Sequence, residues 1–203
     1  MYSVVILAGG QSRRMGRDKA FLEWRGRPLI VDLIDRFRSV TDDLIVVAPN
    51  SGPFAGLGAR LLRDPHPPMG PLGGLWAGLL GARHEWALAL ACDLPLADPR
   101  VAEWLFAHRH GAAAVVPVDA QEGPEPLHAF YHVSCLNAIA AALAHGQRAV
   151  VAFYPAVRVR YILPAAWRQV DPEGRSWRNV NTPEEWARLQ EEMGASAAPR
   201  MRA

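Results

Sequence analysis

Short apolar runs and helical apolar stripes alternate along roughly the first 118 residues. Tyr2–Ala8 is a β-branched apolar run ending in glycines, which predicts a strand. A Gly/Ser/Arg loop follows over 9–19. Pro28 is placed to open a helix as its first residue, running to about Arg38, with Leu29, Leu33 and Phe37 recurring every four positions. Leu44–Ala48 predicts a second strand, and Arg60–Arg63 a third that Asp64-Pro65 stops. Residues 64–74 read as a Pro/Gly loop and Leu75–Arg83 as a helix. Trp86–Cys92 is apolar throughout, the pattern of a central strand covered on both faces. Asp98-Pro99 supplies a cap and a first-turn proline for a helix to about His110, and Ala113–Val118 predicts another strand.

The pattern then loosens. Leu127–Val133 reads as a strand, Ser134–His145 as a helix and Val157–Leu163 as a half-exposed strand. Thr182-Pro183-Glu184-Glu185 fits a capping box that opens a last helix to about Met193. Gly194–Ala203, small residues and arginine, is expected to be a disordered tail. The alternation predicts a three-layer α/β/α domain with a mostly parallel, Rossmann-like central sheet. One domain is expected over 1–193, with a nucleotide-binding half of about 1–118 and an acceptor-binding half of about 119–193.

Composition excludes several classes. With 203 residues, 50% hydrophobic and 21% charged, the chain is not wholesale disordered. A net charge of +2 carries no excess of the kind that marks a nucleic-acid binder. Cys92 and Cys135 lie far apart, so neither a disulfide framework nor a cysteine metal staple is expected. The N-terminus lacks a basic region, and the longest stretch free of Asp, Glu, Lys and Arg, Pro126 to Gln147, is broken by histidines, Ser134 and Asn137. The expectation is a soluble cytoplasmic protein with no nucleic-acid or membrane partner.

The most informative segment is Leu7-Ala8-Gly9-Gly10-Gln11-Ser12-Arg13-Arg14-Met15-Gly16-Arg17-Asp18-Lys19, entered directly from a strand. Paired glycines let backbone N–H groups approach phosphate oxygens, Ser12 adds a hydroxyl, and Arg14 and Lys19 add positive charge. No Walker loop and no GxGxxG is present. Of 22 basic residues, all but Lys19 are arginine, so the lone lysine sits in this loop. A compact ammonium fits between phosphate oxygens where a planar guanidinium does not. The bland alternative is a glycine turn with a solvated arginine face.

Asp93 follows the central apolar run, at the carboxyl edge where parallel sheets bind ligands. A carboxylate there suits a hard divalent cation shared with phosphate oxygens; a turn aspartate is the competing reading. Asp64 ends another short strand in the same manner.

The loop resembles the GGxSxRMGxDK signature of the molybdenum cofactor guanylyltransferases, within the wider nucleotidyltransferase group, at Gly9, Gly10, Ser12, Arg14, Met15, Gly16, Asp18 and Lys19. Three further segments resemble that family: Gly70-Pro71-Leu72-Gly73-Gly74, Cys92-Asp93-Leu94-Pro95, and Asn179-Val180-Asn181-Thr182-Pro183-Glu184-Glu185. The resemblance implies a nucleotidyltransferase fold. It also implies transfer of GMP from GTP to the phosphate of a molybdopterin-type cofactor, releasing pyrophosphate. By it, Leu7, Ala8, Gly9, Gly10, Ser12, Lys19, Asp64 and Asp93 hold the nucleotide, Asp93 holds Mg2+, and Lys19, Arg14 and Asp93 are catalytic. Related cytidylyltransferases read Leu-Ala-Ala-Gly, so Gly9 leans toward GTP. Pro126, Ala129, Arg148, Asn179 and Asn181 are expected to face the acceptor, and molybdoenzymes or their chaperones to take the product. The family's asparagine after the second strand is Ala48 here, with Asn50 two residues on. Arg158 and Arg160 read as solvated edge arginines or anion contacts. The alternatives are a nucleotidyltransferase using CTP or another small phosphate, and a non-catalytic GTP-binding protein.

Overall fold

The structure, a computed structural model, describes residues 1–9, 18–50, 52–65, 69–119 and 123–197, with residues 195–197 described by their backbone alone. Its strands are β1 (Ser3–Leu7), β2 (Glu23–Trp24), β3 (Arg27–Pro28), β4 (Leu44–Ala48), β5 (Arg60–Arg63), β6 (Trp86–Ala91), β7 (Ala114–Asp119), β8 (Gly123–Pro124), β9 (His128–His132) and β10 (Val159–Ile162). Its α-helices are α1 (Leu29–Phe37), α2 (Gly70–Gly81), α3 (Pro99–Ala107), α4 (Leu136–Ala144), α5 (Pro164–Trp167) and α6 (Pro183–Ala197).

Among the described residues the main sheet runs β10-β7-β9-β6-β1-β4-β5, with β8 paired to β7. All its neighbours are parallel except where β9 runs between β6 and β7 and where β8 meets β7. This is the mostly parallel α/β sheet that the alternation predicts. β1 and β4 are buried at every position, as strands covered on both faces should be. Two apolar clusters form the faces: one packs α1 and α3 on Val4, Ile6, Val46 and Leu88, the other packs α2 and α4 on Val5, Val47, Ala87 and Ala89.

Three elements differ from expectation. Pro28 does not start α1; its ψ of 138° is extended, and it pairs with Glu23 in the small hairpin β2–β3. That hairpin turns on Arg25 and Gly26, both at positive φ (52° and 77°), a two-residue turn without the usual Asn-Gly signature. α2 begins at Gly70 rather than Leu75, with Pro71 in its first turn. Its glycines weigh against a helix in a propensity reading, but they serve close packing: a Cβ on Gly78 would lie 2.3 Å from Val5 Cγ1. Last, α6 continues to Ala197, so part of the segment expected as a tail is helical; 198–203 lie outside the described residues. No helix among the described residues is long and apolar enough to cross a membrane.

Candidate active site

A cleft with about 690 Å³ of open space lies over the carboxyl ends of β1, β4 and β6. Leu7, Ala8 and Gly9 come from β1 and its exit, Val47 from β4, and Ala91, Cys92 and Asp93 from β6. Asp18, Lys19, Asp64 and the first turn of α2, at Gly70, Pro71 and Gly74, close the walls. Residues distant in sequence meet here because adjacent parallel strands end on one edge.

Lys19 is set by a short 3-10 turn, Lys19–Phe21, which Asp18 caps by accepting from the Ala20 N–H at 3.0 Å. Its ammonium donates to Asp93 Oδ2 at 2.9 Å and to Asn181 Oδ1 at 2.7 Å. The sequence places Lys19 and Asp93 in one site, and the structure puts them in direct contact. The loop carrying Asp93 is held from three sides. The Cys92 N–H donates to the Leu7 carbonyl at 3.2 Å, and the Val180 N–H donates to the Asp93 carbonyl at 3.1 Å. Arg36, on α1, donates to the carbonyls of Pro95, at 2.9 Å, and Ala97, while pairing with buried Asp32 at 2.8 Å. Asp32 and Arg36 are four apart on a helix, a spacing visible in the sequence; their function as a brace for the Asp93 loop is not.

Asn181 is positioned by the capping box. Glu185 Oε2 accepts from the backbone N–H groups of Asn181 (2.6 Å) and Thr182 (3.2 Å), and Thr182 Oγ1 accepts from the Glu185 N–H at 3.2 Å. The same three residues thus start α6 and present the Asn181 amide oxygen to Lys19.

Asp64 faces the cleft from the end of β5, its N–H donating to the Ala48 carbonyl at 2.9 Å. Burial raises its carboxyl above the usual range. Its Oδ1 is buried with no hydrogen-bond partner among the described residues. A Cβ on Gly9 would sit 2.7 Å from Asp64 Oδ2, so the carboxylate occupies space that only a glycine leaves. Cys92 lines the same wall, and burial, with the charge of Asp93 next, pushes its thiol up and keeps it protonated.

Of the expected site residues, Leu7, Ala8, Gly9, Lys19, Asp64 and Asp93 line one cleft. Gly10, Ser12 and Arg14 lie outside the described residues. Asn181 touches Lys19, whereas Asn179 is exposed and lines a neighbouring cavity. Arg148 is exposed; its carbonyl accepts from Leu72 at 3.1 Å, so its backbone anchors the start of α2. Ala129 is fully buried within the sheet, and the Pro126 carbonyl accepts from the Tyr131 hydroxyl at 2.8 Å. Ala48 is buried, and Asn50 caps its own turn by accepting from the Gly52 N–H at 3.0 Å. Asn50 does not line the cleft. Arg158 and Arg160 donate to the carbonyls of Gly111 and His110, each at 3.0 Å, which ties the edge strand to the loop after α3. The start of α2 as a cleft wall is missed by sequence reasoning, because its glycines read as loop.

The chain is similar to known proteins over most of its length. The family model of the MobA-like NTP transferase domain matches residues 4–159. A molybdenum cofactor guanylyltransferase of Desulfosudis oleivorans is 39% identical, over 89% of this chain and 90% of that protein. A probable molybdenum cofactor guanylyltransferase of Pelotomaculum thermopropionicum is 35% identical, over 88% and 87%. The crystal structure of molybdopterin-guanine dinucleotide biosynthesis protein A from Archaeoglobus fulgidus superposes with a TM-score of 0.82 at 26% identity, covering 95% of this chain and 99% of that one. With the cleft at the carboxyl edge, these matches lead to one family: the chain belongs to the molybdenum cofactor guanylyltransferases, within the MobA-like NTP transferase domains.

Proposed function

We propose that this protein transfers GMP from GTP to the phosphate of a molybdopterin-type cofactor, releasing pyrophosphate. The observation that carries the reading is the meeting of Lys19, Asp93 and Asp64 in one cleft. An acceptor phosphate oxygen attacks the α-phosphorus of GTP. The new O–P bond forms as the bond from the α-phosphorus to the bridging oxygen breaks, and pyrophosphate leaves with that electron pair. The attacking phosphate is already anionic, so no general base is required. Catalysis then rests on positioning and on charge stabilisation.

Lys19 is the cation that meets the triphosphate, with Asn181 and Asp93 holding its ammonium at the cleft floor. By the family resemblance Arg14 adds to it and Gly10 and Ser12 hold phosphate oxygens. Asp93 fits Mg2+: the donor is a half-buried carboxylate at the cleft, and Mg2+ is commonly held by one or two carboxylates plus phosphate oxygens. When bound, the ion supplies neutralisation of phosphate charge at Asp93. Asp64 reads the base. Guanine presents N1–H and a 2-amino group side by side, and both donate to a carboxylate whose buried oxygen lacks a partner among the described residues. Cytosine presents a ring nitrogen and a carbonyl there, which a carboxylate repels. The presence of both Lys19 and Asp93 in the cleft favours turnover over simple GTP binding. A reaction fed by GTP suits the cytoplasm.

The test is pyrophosphate release with Mg2+, acceptor and each nucleoside triphosphate in turn. Release with GTP alone is expected; release with CTP in preference to GTP would reverse the assignment of Asp64.

A further inference from the structure

Helix α1 holds both segments that meet in the cleft, although no residue of α1 lines it. At its start, the Leu29 N–H donates to the Leu22 carbonyl at 2.9 Å. Ala20 and Leu22, just past Lys19, are buried in the same core cluster as Leu29, Ile30 and Leu33. At its other end, Arg36 donates to the carbonyls of Pro95, at 2.9 Å, and Ala97, two and four residues beyond Asp93. One helix thus carries the turn that sets Lys19 and the loop that sets Asp93.

A single buried carboxylate joins these two ends. Asp32 is 1% exposed. Its Oδ1 accepts from Arg27 Nη2 at 2.7 Å and Nε at 3.2 Å, and Arg27 belongs to the hairpin that follows the Lys19 turn. Its Oδ2 lies 2.8 Å from Arg36 Nε, an ion pair one helical turn along. A buried ion pair contributes little net stability against apolar residues of the same volume, because both charges must be desolvated. What this one supplies is direction. With Asp32 at its Nε, Arg36 turns its two terminal nitrogens onto the two loop carbonyls. The loop has few other restraints of its own: Pro95 has no N–H, and the Ala97 N–H donates within the loop to the Leu94 carbonyl at 3.2 Å.

We infer that Asp32 and Arg36 are positioning residues for the reaction: through the 93–97 loop they fix the Asp93 carboxylate relative to Lys19, and so set the affinity of the cleft for a divalent cation. This rests on the assignment of Mg2+ to Asp93, and it adds which side chains outside the cleft tune that site. Mg2+ demands near-ideal octahedral geometry, so a small displacement of its carboxylate weakens it. Lysine at position 36 keeps the charge but is a point charge on a flexible stem, and it holds neither carbonyl in a fixed direction.

The experiment uses the full chain with Arg36→Lys, Asp32→Asn and, at a half-exposed position, Arg27→Ala. Mn2+ titration followed by electron paramagnetic resonance, with GTP present and acceptor omitted, reads cation affinity without turnover. Pyrophosphate kinetics read kcat, half-saturating Mg2+ and KM for GTP at saturating Mg2+. Thermal unfolding reads stability separately. Arg36→Lys and Asp32→Asn should each weaken Mn2+ binding and raise half-saturating Mg2+ fivefold or more. Each should lower kcat about tenfold and change KM for GTP less than twofold. Arg27→Ala should move the same quantities in the same direction by two- to threefold. The double variant Asp32→Asn/Arg36→Lys should lose little more than the worse single variant, since both act through one chain of contacts. Mn2+ affinity and half-saturating Mg2+ equal to wild type in folded Arg36→Lys and Arg27→Ala would overturn the inference and reduce the network to a structural ion pair. Those two variants decide the matter even if Asp32→Asn fails to fold. Absence of pyrophosphate release from GTP in the wild type would instead strike the functional reading, and the Mn2+ titration, which needs no turnover, would still decide the inference.

Discussion

Replacing Gly9 with alanine tests how the cleft reads its base. The backbone there is outside the positive-φ region, so alanine introduces no torsional strain. Its Cβ would lie 2.7 Å from Asp64 Oδ2, 3.5 Å from Cγ and 3.7 Å from Pro49 Cδ. Ordinary contact begins near 3.4 Å, so the carboxylate must retreat by about 0.7 Å. The clash falls on the free end of a side chain, which can rotate, so the stability cost is held to about 1 kcal/mol or less. Function is less forgiving. A hydrogen bond to a charged group contributes about 1.5–3 kcal/mol, and a shift of this size forfeits much of it. KM for GTP should therefore rise roughly 10- to 100-fold, since 1.4 kcal/mol is tenfold. The preference for GTP over CTP should fall by a similar factor. Titration calorimetry with GTP and Mg2+, beside pyrophosphate kinetics, measures both. A double-mutant cycle isolates the cause. On an Asp64→Ala background there is no carboxylate to displace, and Gly9→Ala should add less than twofold. An unchanged GTP affinity in Gly9→Ala would refute the assignment of Asp64 to the base.

Three other perturbations follow from the geometry. Glu185→Ala releases the Asn181 backbone and should lower kcat about tenfold with KM for GTP little changed, while Glu185→Gln restores most of it; equal kcat in all three would reduce Glu185 to a helix cap. Asp43 is fully buried, accepts from Ser3 Oγ at 2.6 Å and from the Arg83 N–H at 2.8 Å, and pairs with Arg60, so Asp43→Ala should cost about 3 kcal/mol by urea unfolding, and a loss under 1 kcal/mol would contradict that role. His128 is buried with its Nδ1 facing the Ser176 carbonyl, and burial lowers its pKa from 6.5 to about 4. The unfolded chain thus takes up this proton first. The stability His128 supports is complete above pH 6.5 and is lost as pH falls toward 4, by on the order of 3 kcal/mol. His128→Gln should flatten that slope in pH-dependent urea unfolding, and an unaltered slope would place the acid sensitivity elsewhere.

Much of this was legible in the chain because local pattern and final packing agree. The buried runs of β1, β4 and β6 have one solution, a covered parallel sheet, and its carboxyl edge gathers Gly9, Asp64 and Asp93 whatever the loops do. The lone lysine was visible for a compositional reason, and the capping box of α6 for its spacing. What stayed hidden depends on contacts rather than pattern. The first turn of α2 reads as loop because its glycines Gly70 and Gly74 answer to Arg148 and Leu7, which are distant in sequence. The bond from Lys19 to Asn181 spans 162 positions, and nothing local to either residue announces it. Ala129 resembled an acceptor contact by segment, yet its place on a central strand buries it.

The most direct test of the whole account is single-turnover pyrophosphate release by Lys19→Ala at saturating GTP, Mg2+ and acceptor. With the ammonium gone from the cleft floor, release should slow roughly 10²–10³-fold, the scale of one lost transition-state donor, in a protein that still unfolds cooperatively. Release at the wild-type rate would contradict it.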